Sequence, residues 1–288
     1  MTIALKPLDQ QVIVVTGASE GVGLATAQAA IDRGARVVVV LRAAGDGDAL
    51  VARADGTGRV VGVVADAADR QQVKLVTRAA LERFGRIDTW INLASMPLQG
   101  RIDEIPDADN RQLFERNFWS IVNGSLAALR YLKVRGGALI NVGDVEPASI
   151  VPRTGMHTAS TQAMKGFTDA LRVELESDGA PVSVTIVQPT LVGALHQEDA
   201  RGMTRSPDPH ADRAAVADAI LHAATHPERD IQVAQSAPAA PVAARAAPLS
   251  SGWMERKLVD RQQLSITARE AGIIRRSGGA QRMPSVLR

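Results

Sequence analysis

The chain has 288 residues, 45% of them hydrophobic, enough to fill one sizeable core. It contains no cysteine, which excludes a disulfide framework, a thiolate metal site and a cysteine nucleophile, and makes a reducing cytoplasm the default compartment. No stretch approaches the roughly eighteen apolar residues of a membrane span, and MTIALKPLDQ lacks the apolar run of a secretion signal, so neither insertion nor export is expected.

Strand and helix patterns alternate along the chain. VIVVTG from Val12 is a β-branched run, and GLATAQAAIDRG after it has amphipathic helical spacing. RVVVVL from Arg36 is apolar almost throughout, as a strand buried on both faces should be. RVVGVVAD from Arg59, helical DRQQVKLVTRAALERFG and DTWINLA from Asp88 continue the pattern. One long helix is predicted over about Asp109–Tyr131, followed by ALINVG from Ala138, a helix from His157 to Glu176, and VSVTIVQP from Val182. This alternation gives βαβ units, hence a doubly wound parallel sheet in a single Rossmann-like α/β domain.

Beyond Pro189 a loop containing RSPDPH leads to a predicted helix over Ala211–Thr225 and a short strand in RDIQVAQ, which sets the domain at residues 1–235. Residues 236–288 form a C-terminal extension that begins with a Pro/Ala linker and holds one helix around WMERKLVDRQQL. The net charge of +2 is unevenly spread: from Gly252 onward there are eight Lys or Arg against three acids. That excess suits either an anionic partner or a solvated, subunit-contacting tail. No groove-reading motif accompanies it, so neither a nucleic-acid nor a membrane partner is expected.

VIVVTGASEGVGLATAQAA places Gly17, Gly21 and Gly23 between a buried strand and an amphipathic helix. The turn needs one glycine, a phosphate approaching the backbone needs another, and close packing of helix on sheet needs the third. The helix N-terminus then offers N–H groups and a positive dipole end to a pyrophosphate.

With Thr16 opening it, this TGxxxGxG spacing resembles the short-chain dehydrogenase/reductase family, and the resemblance covers most of residues 10–195. It implies an oxidoreductase whose nicotinamide cofactor is held by Thr16, Gly17, Ser19, Glu20, Gly21, Val22 and Gly23. It also implies Asp66 as the adenine contact, Asn92 (in NLAS, where the family has NNAG) as a cofactor residue, and Pro189 with the backbone of Val192 at the carboxamide. Asn117 matches the asparagine that shapes the helix beside the active site and holds a water of the proton relay. Plainer roles compete, since Asp66 would also suit a helix-capping loop and Asn117 a helix backbone partner. Family members pair as dimers or tetramers through two long helices, here about Asp109–Tyr131 and His157–Glu176.

Cofactor choice turns on the end of the second strand, where a carboxylate would bind the ribose hydroxyls of NAD and a cation would take a 2'-phosphate. This chain has Leu41 and Arg42 there, which favours NADP(H) over NAD(H). Glu20 opposes that choice, because its charge near a phosphate costs affinity.

The resemblance implies a serine, tyrosine and lysine as the catalytic set, but their positions hold Asp144, His157 and Thr161. The only tyrosine, Tyr131, lies in the preceding helix, and Lys165 reads as a solvated helix residue. Ala194 replaces a threonine that usually lies near the carboxamide. One account is an altered site acting on a small carbonyl or alcohol substrate, in which Asp144 orients His157. Imidazole titrates near about 6.5 and a phenol near about 10, so a histidine needs no lysine to work at neutral pH. The competing accounts are a nucleotide-binding protein without turnover, and a non-redox lyase, isomerase or cyclase. His222 and His226 are four apart on a predicted helix, but without a glutamate after His222 they make no protease-type zinc motif, and no metal site is expected.

Overall fold

The apolar β-branched runs all form strands, and in chain order they are β1 (Val12–Val15), β2 (Arg36–Leu41), β3 (Val60–Val64), β4 (Thr89–Leu93), β5 (Gly137–Val142), β6 (Val182–Pro189) and β7 (Asp230–Val233). The computed structural model describes residues 3–46, 50–52, 57–93, 96–143, 153–189 and 209–233. The seven strands make one sheet in the order β3-β2-β1-β4-β5-β6-β7, parallel throughout. The helices that cover it are α1 (Gly21–Asp32), α2 (Arg70–Phe84), α3 (Asp107–Phe114), α4 (Ser120–Arg135), α5 (Gly155–Ser177) and α6 (Pro209–Ala223).

Burial follows strand position. β1, β5 and β6 are buried at every residue, whereas the edge strands β3 and β7 alternate between covered and open faces. Two apolar cores flank the sheet, one joining Ile13, Val39 and Ile140 to α1 and α6, the other joining Val38, Trp90 and Leu139 to α2, α4 and α5. Local chemistry sets the helix ends: the Asp69 carboxylate accepts the Gln71 and Gln72 N–H groups to open α2, and Gly85, at φ 74°, closes it.

The long helix predicted after β4 is not continuous. Glu115–Trp119 form a π-helical turn between α3 and α4. The wider turn buries Asn117, and the Ser120 hydroxyl donates back to the Arg116 carbonyl at 2.5 Å. Val15 of β1 pairs with both Val39 of β2 and Ile91 of β4, so strand order reverses across β1. At such a reversal the connections leave in opposite directions and open a crevice beyond the carboxyl ends of the strands.

Candidate functional site

Thr16 stitches the two sides of the reversal together: its hydroxyl accepts the Leu93 N–H at 3.2 Å and lies 3.4 Å from the Ile91 carbonyl. Gly17 follows at φ 68°, with no room for a Cβ beside the Leu93 carbonyl. Gly21 has φ 60° and open space where a Cβ would be, and a Cβ on Gly23 would collide with the Gly17 carbonyl oxygen. The three glycines therefore do three jobs, namely the turn, an open approach, and contact of α1 with that turn. Glu20 precedes α1 in extended conformation without capping it, which leaves the first-turn N–H groups around Gly21, Val22 and Gly23 without a side-chain acceptor.

Beside this turn lies a cleft lined by Gly17, Ser19, Leu41, Arg42, Asp66 and Arg116, among others, but not by Glu20. The Arg42 N–H donates to Ser19 Oγ at 2.9 Å, fastening the glycine loop to the end of β2. Leu41 is buried, whereas Arg42 is exposed at the mouth. Asp66 is fixed by its own turn: Oδ1 accepts the Ala68 N–H at 2.9 Å, and its backbone N–H donates to Gln72 Oε1 at 2.9 Å. Asp66 is thus not the cap of α2, a role Asp69 fills.

The second half of the site centres on the Met96 backbone. Asn117 Oδ1 accepts the Met96 N–H at 2.7 Å, and Asn117 Nδ2 donates to the Met96 carbonyl at 3.1 Å and to Ser160 Oγ at 3.1 Å. His157, 6% exposed, places Nδ1 3.2 Å from the same carbonyl. A carbonyl only accepts, so Nδ1 carries the proton of that bond. Ser160 donates to the backbone carbonyl of His157 at 2.7 Å, within the first turns of α5. Thr161 is buried, with its hydroxyl donating to the Thr158 carbonyl at 3.1 Å. Lys165 pairs with Asp169 at 2.5 Å on α5, one turn along.

Asn92 is not among the residues that line the cleft. Its amide is 1% exposed, accepting from Trp90 Nε1 at 2.7 Å and donating to Ser125 Oγ at 3.1 Å and Asn141 Oδ1 at 2.9 Å. Alternation along β4 sends its side chain into the core against α4. Pro189 ends β6 opposite Val233. Asp144, Val192 and Ala194 lie outside the described residues. The His222 and His226 rings stack at 4.1 Å, and His222 Nε2 meets Glu228 Oε1 at 2.9 Å. Among the described residues no group of three or more His, Cys, Asp or Glu is placed to hold a metal ion.

Sequence reasoning missed Arg116, Ser160 and Met96. Arg116 reads in the sequence as a solvated helix charge, and Met96 acts through its backbone and leaves no signature in residue type.

A glycine turn at the switch point, an aspartate at the end of β3 and a buried polar cluster at the start of α5 define a nucleotide-binding α/β enzyme. The family model described as short chain dehydrogenase matches residues 11–204, and the chain belongs to this family of oxidoreductases. A protein named "Uncharacterized oxidoreductase YxnA" from Bacillus subtilis (strain 168) is 36% identical over 250 residues, 82% of this chain and 69% of that one. The 11-beta-hydroxysteroid dehydrogenase 1A of Arabidopsis thaliana is 30% identical over 191 residues, 65% of this chain and 54% of its own. A metagenomic short-chain oxidoreductase in complex with NADP superposes with a TM-score of 0.65 at 23% identity, covering 77% of this chain and 96% of its own. A Burkholderia phymatum short chain dehydrogenase/reductase in complex with NAD gives 0.67 at 22% identity, covering 79% and 90%. Among the described residues no helix is long and apolar enough to cross a membrane.

Proposed function

We propose that this protein is an NADP(H)-dependent oxidoreductase that interconverts a small ketone or aldehyde and its alcohol, with His157 acting where the family uses tyrosine. The observation that carries this reading is the placement of His157, buried at the start of α5 with Nδ1 fixed on the Met96 carbonyl. The nicotinamide cofactor supplies or takes the hydride when bound. His157 Nε2 gives the proton to the carbonyl oxygen in reduction and takes it back in oxidation. Asn117 holds Met96 in place. In this reading Asp144, which follows β5 in the chain, is the partner that favours the imidazolium.

The residues present fit a dinucleotide. Gly21 leaves open space over the uncapped first turn of α1, and Asp66 stands at the adenosine end. Buried Leu41 and exposed Arg42 at the end of β2 support a 2'-phosphate over two free ribose hydroxyls. In this reading residues 1–235 form the cofactor-binding domain of a cytoplasmic enzyme, with Val192 at the carboxamide and residues 236–288 as an extension. Exposed Trp119 and Leu126 beside α5, which carries exposed Val173, support self-association through the two long helices.

One observation favours a second reading, a nucleotide-binding protein without turnover: the Thr161 hydroxyl is turned to its own helix and supplies no cation to a nicotinamide ribose. Calorimetric titration of NADPH and NADH, followed by a carbonyl panel, separates the two. Tight NADPH and weak NADH binding with consumption of NADPH is the expected result. Binding without consumption across the panel favours the second reading, and no binding of either nucleotide removes both.

A further inference from the structure

Arg42 and Arg116 both line the adenosine cleft, yet among the described residues neither guanidinium has an ion-pair partner. Arg42 extends β2 next to Ser19. Arg116 comes from the π turn and is half-buried. It also borders an adjoining recess shared with Asp66, Asp69, Gln112 and Glu115. Three carboxylates on that side would repel a phosphate, so a 2'-phosphate would be held at the Arg42 end. The purine would then lie toward Arg116 and Asp66, a flat group with an amino edge for a carboxylate and a π face for a planar cation.

We propose that Arg116 stacks its guanidinium on the purine face of the cofactor, a contact that serves NADP(H) and NAD(H) alike and leaves phosphate discrimination to Arg42. This rests on the cofactor reading above. A stack over the base also explains why a cation lines a cleft shared with Val40, Leu41 and Leu93 without pairing to the nearby acids.

The test is calorimetric titration of NADPH and NADH into the full chain and its Arg116→Ala, Arg116→Gln, Arg42→Ala and Arg42→Ala/Arg116→Ala variants, each checked for unchanged melting. Both Arg116 variants are expected to weaken either nucleotide by roughly three- to tenfold. Arg42→Ala is expected to weaken NADPH alone, and the double variant to lose the product of the two factors. An Arg116 loss confined to NADPH, or one that disappears once Arg42 is gone, would mean a phosphate clamp and overturns the stacking role. Unchanged affinity in both Arg116 variants overturns it as well. If the unaltered chain binds neither nucleotide, the cofactor reading itself fails, a result distinguishable from the other two.

Discussion

The Nδ1 atom of His157 lies 3.2 Å from the carbonyl oxygen of Met96, the same oxygen that accepts from Asn117 Nδ2 at 3.1 Å. One backbone carbonyl thus fixes the tautomer of the histidine while the asparagine fixes the carbonyl. Both lone pairs of the oxygen are used, so neither the ring nor the loop swings without breaking a part-buried hydrogen bond, each worth about 1 kcal/mol net.

His157→Phe keeps a ring in the pocket and removes the proton. Nucleotide affinity is expected to stay within about twofold while hydride transfer falls by about a hundredfold or more, in the range of general acid–base contributions. Single-turnover oxidation of NADPH with an accepted carbonyl measures it, and full activity in this variant would remove the catalytic role of His157.

Two glycines separate binding from folding. Gly21→Ala meets no atom but must hold φ 60°, costing about 1 kcal/mol, and its methyl occupies the open approach over α1. Gly23→Ala drives a Cβ into the Gly17 carbonyl oxygen, so the turn itself has to move. The Gly21 variant is expected to fold and lose nucleotide affinity, and the Gly23 variant to melt several degrees lower. Equal melting temperatures for the two would contradict this division.

The sheet was legible because parallel strands buried on both faces are continuous runs such as VVVV, and the glycine turn because its spacing and flanking elements agree. The break at Glu115–Trp119 was not legible, since ERNFW contains neither glycine nor proline and the π turn is held by tertiary bonds of Asn117 to Met96. The partners of Asn92 were not legible for a related reason: its residue type suits many contacts, and only the pleat of β4 turns it to Ser125 and Asn141. Arg116 escaped because a lone arginine on a helix reads as a solvated charge until the fold puts it beside Asp66.

At the other end of the sheet, Asp88 is 8% exposed, bonded by Arg86 at 2.7 and 2.8 Å, by Lys6 at 2.8 Å and by the Val12 N–H at 2.9 Å. Burial pushes its carboxyl pKa up, but the hydrogen bonds from Arg86, Lys6 and Val12 outweigh that and hold it below the ordinary value. A lowered folded pKa gives stability that is complete above about 3.8, the ordinary value, and is lost as pH falls through the folded one. Asp88→Asn is expected to cost about 2 kcal/mol at neutral pH, less than the loss of a fully buried pair because Lys6 is 44% exposed. Urea denaturation at pH 7 and pH 3 should show the gap between parent and variant narrowing in acid, and a constant gap would exclude this carboxylate as its source.

Trp119 and Leu126, seven residues apart, are 46% and 43% exposed, and Val173 on α5 is 59% exposed. Seven residues make about two helical turns, which puts the first pair on one face. Each such side chain contributes about 1.5–3 kcal/mol when fully buried, so a second copy covering this surface gains several kcal/mol from it. Sedimentation equilibrium at micromolar concentration is expected to give a dimer or tetramer for the parent chain. A Leu126→Glu/Val173→Glu variant, which places a charge on each helix, is expected to sediment as a folded monomer. A monomeric parent, or a variant that assembles like the parent, would rule out this surface as the subunit contact.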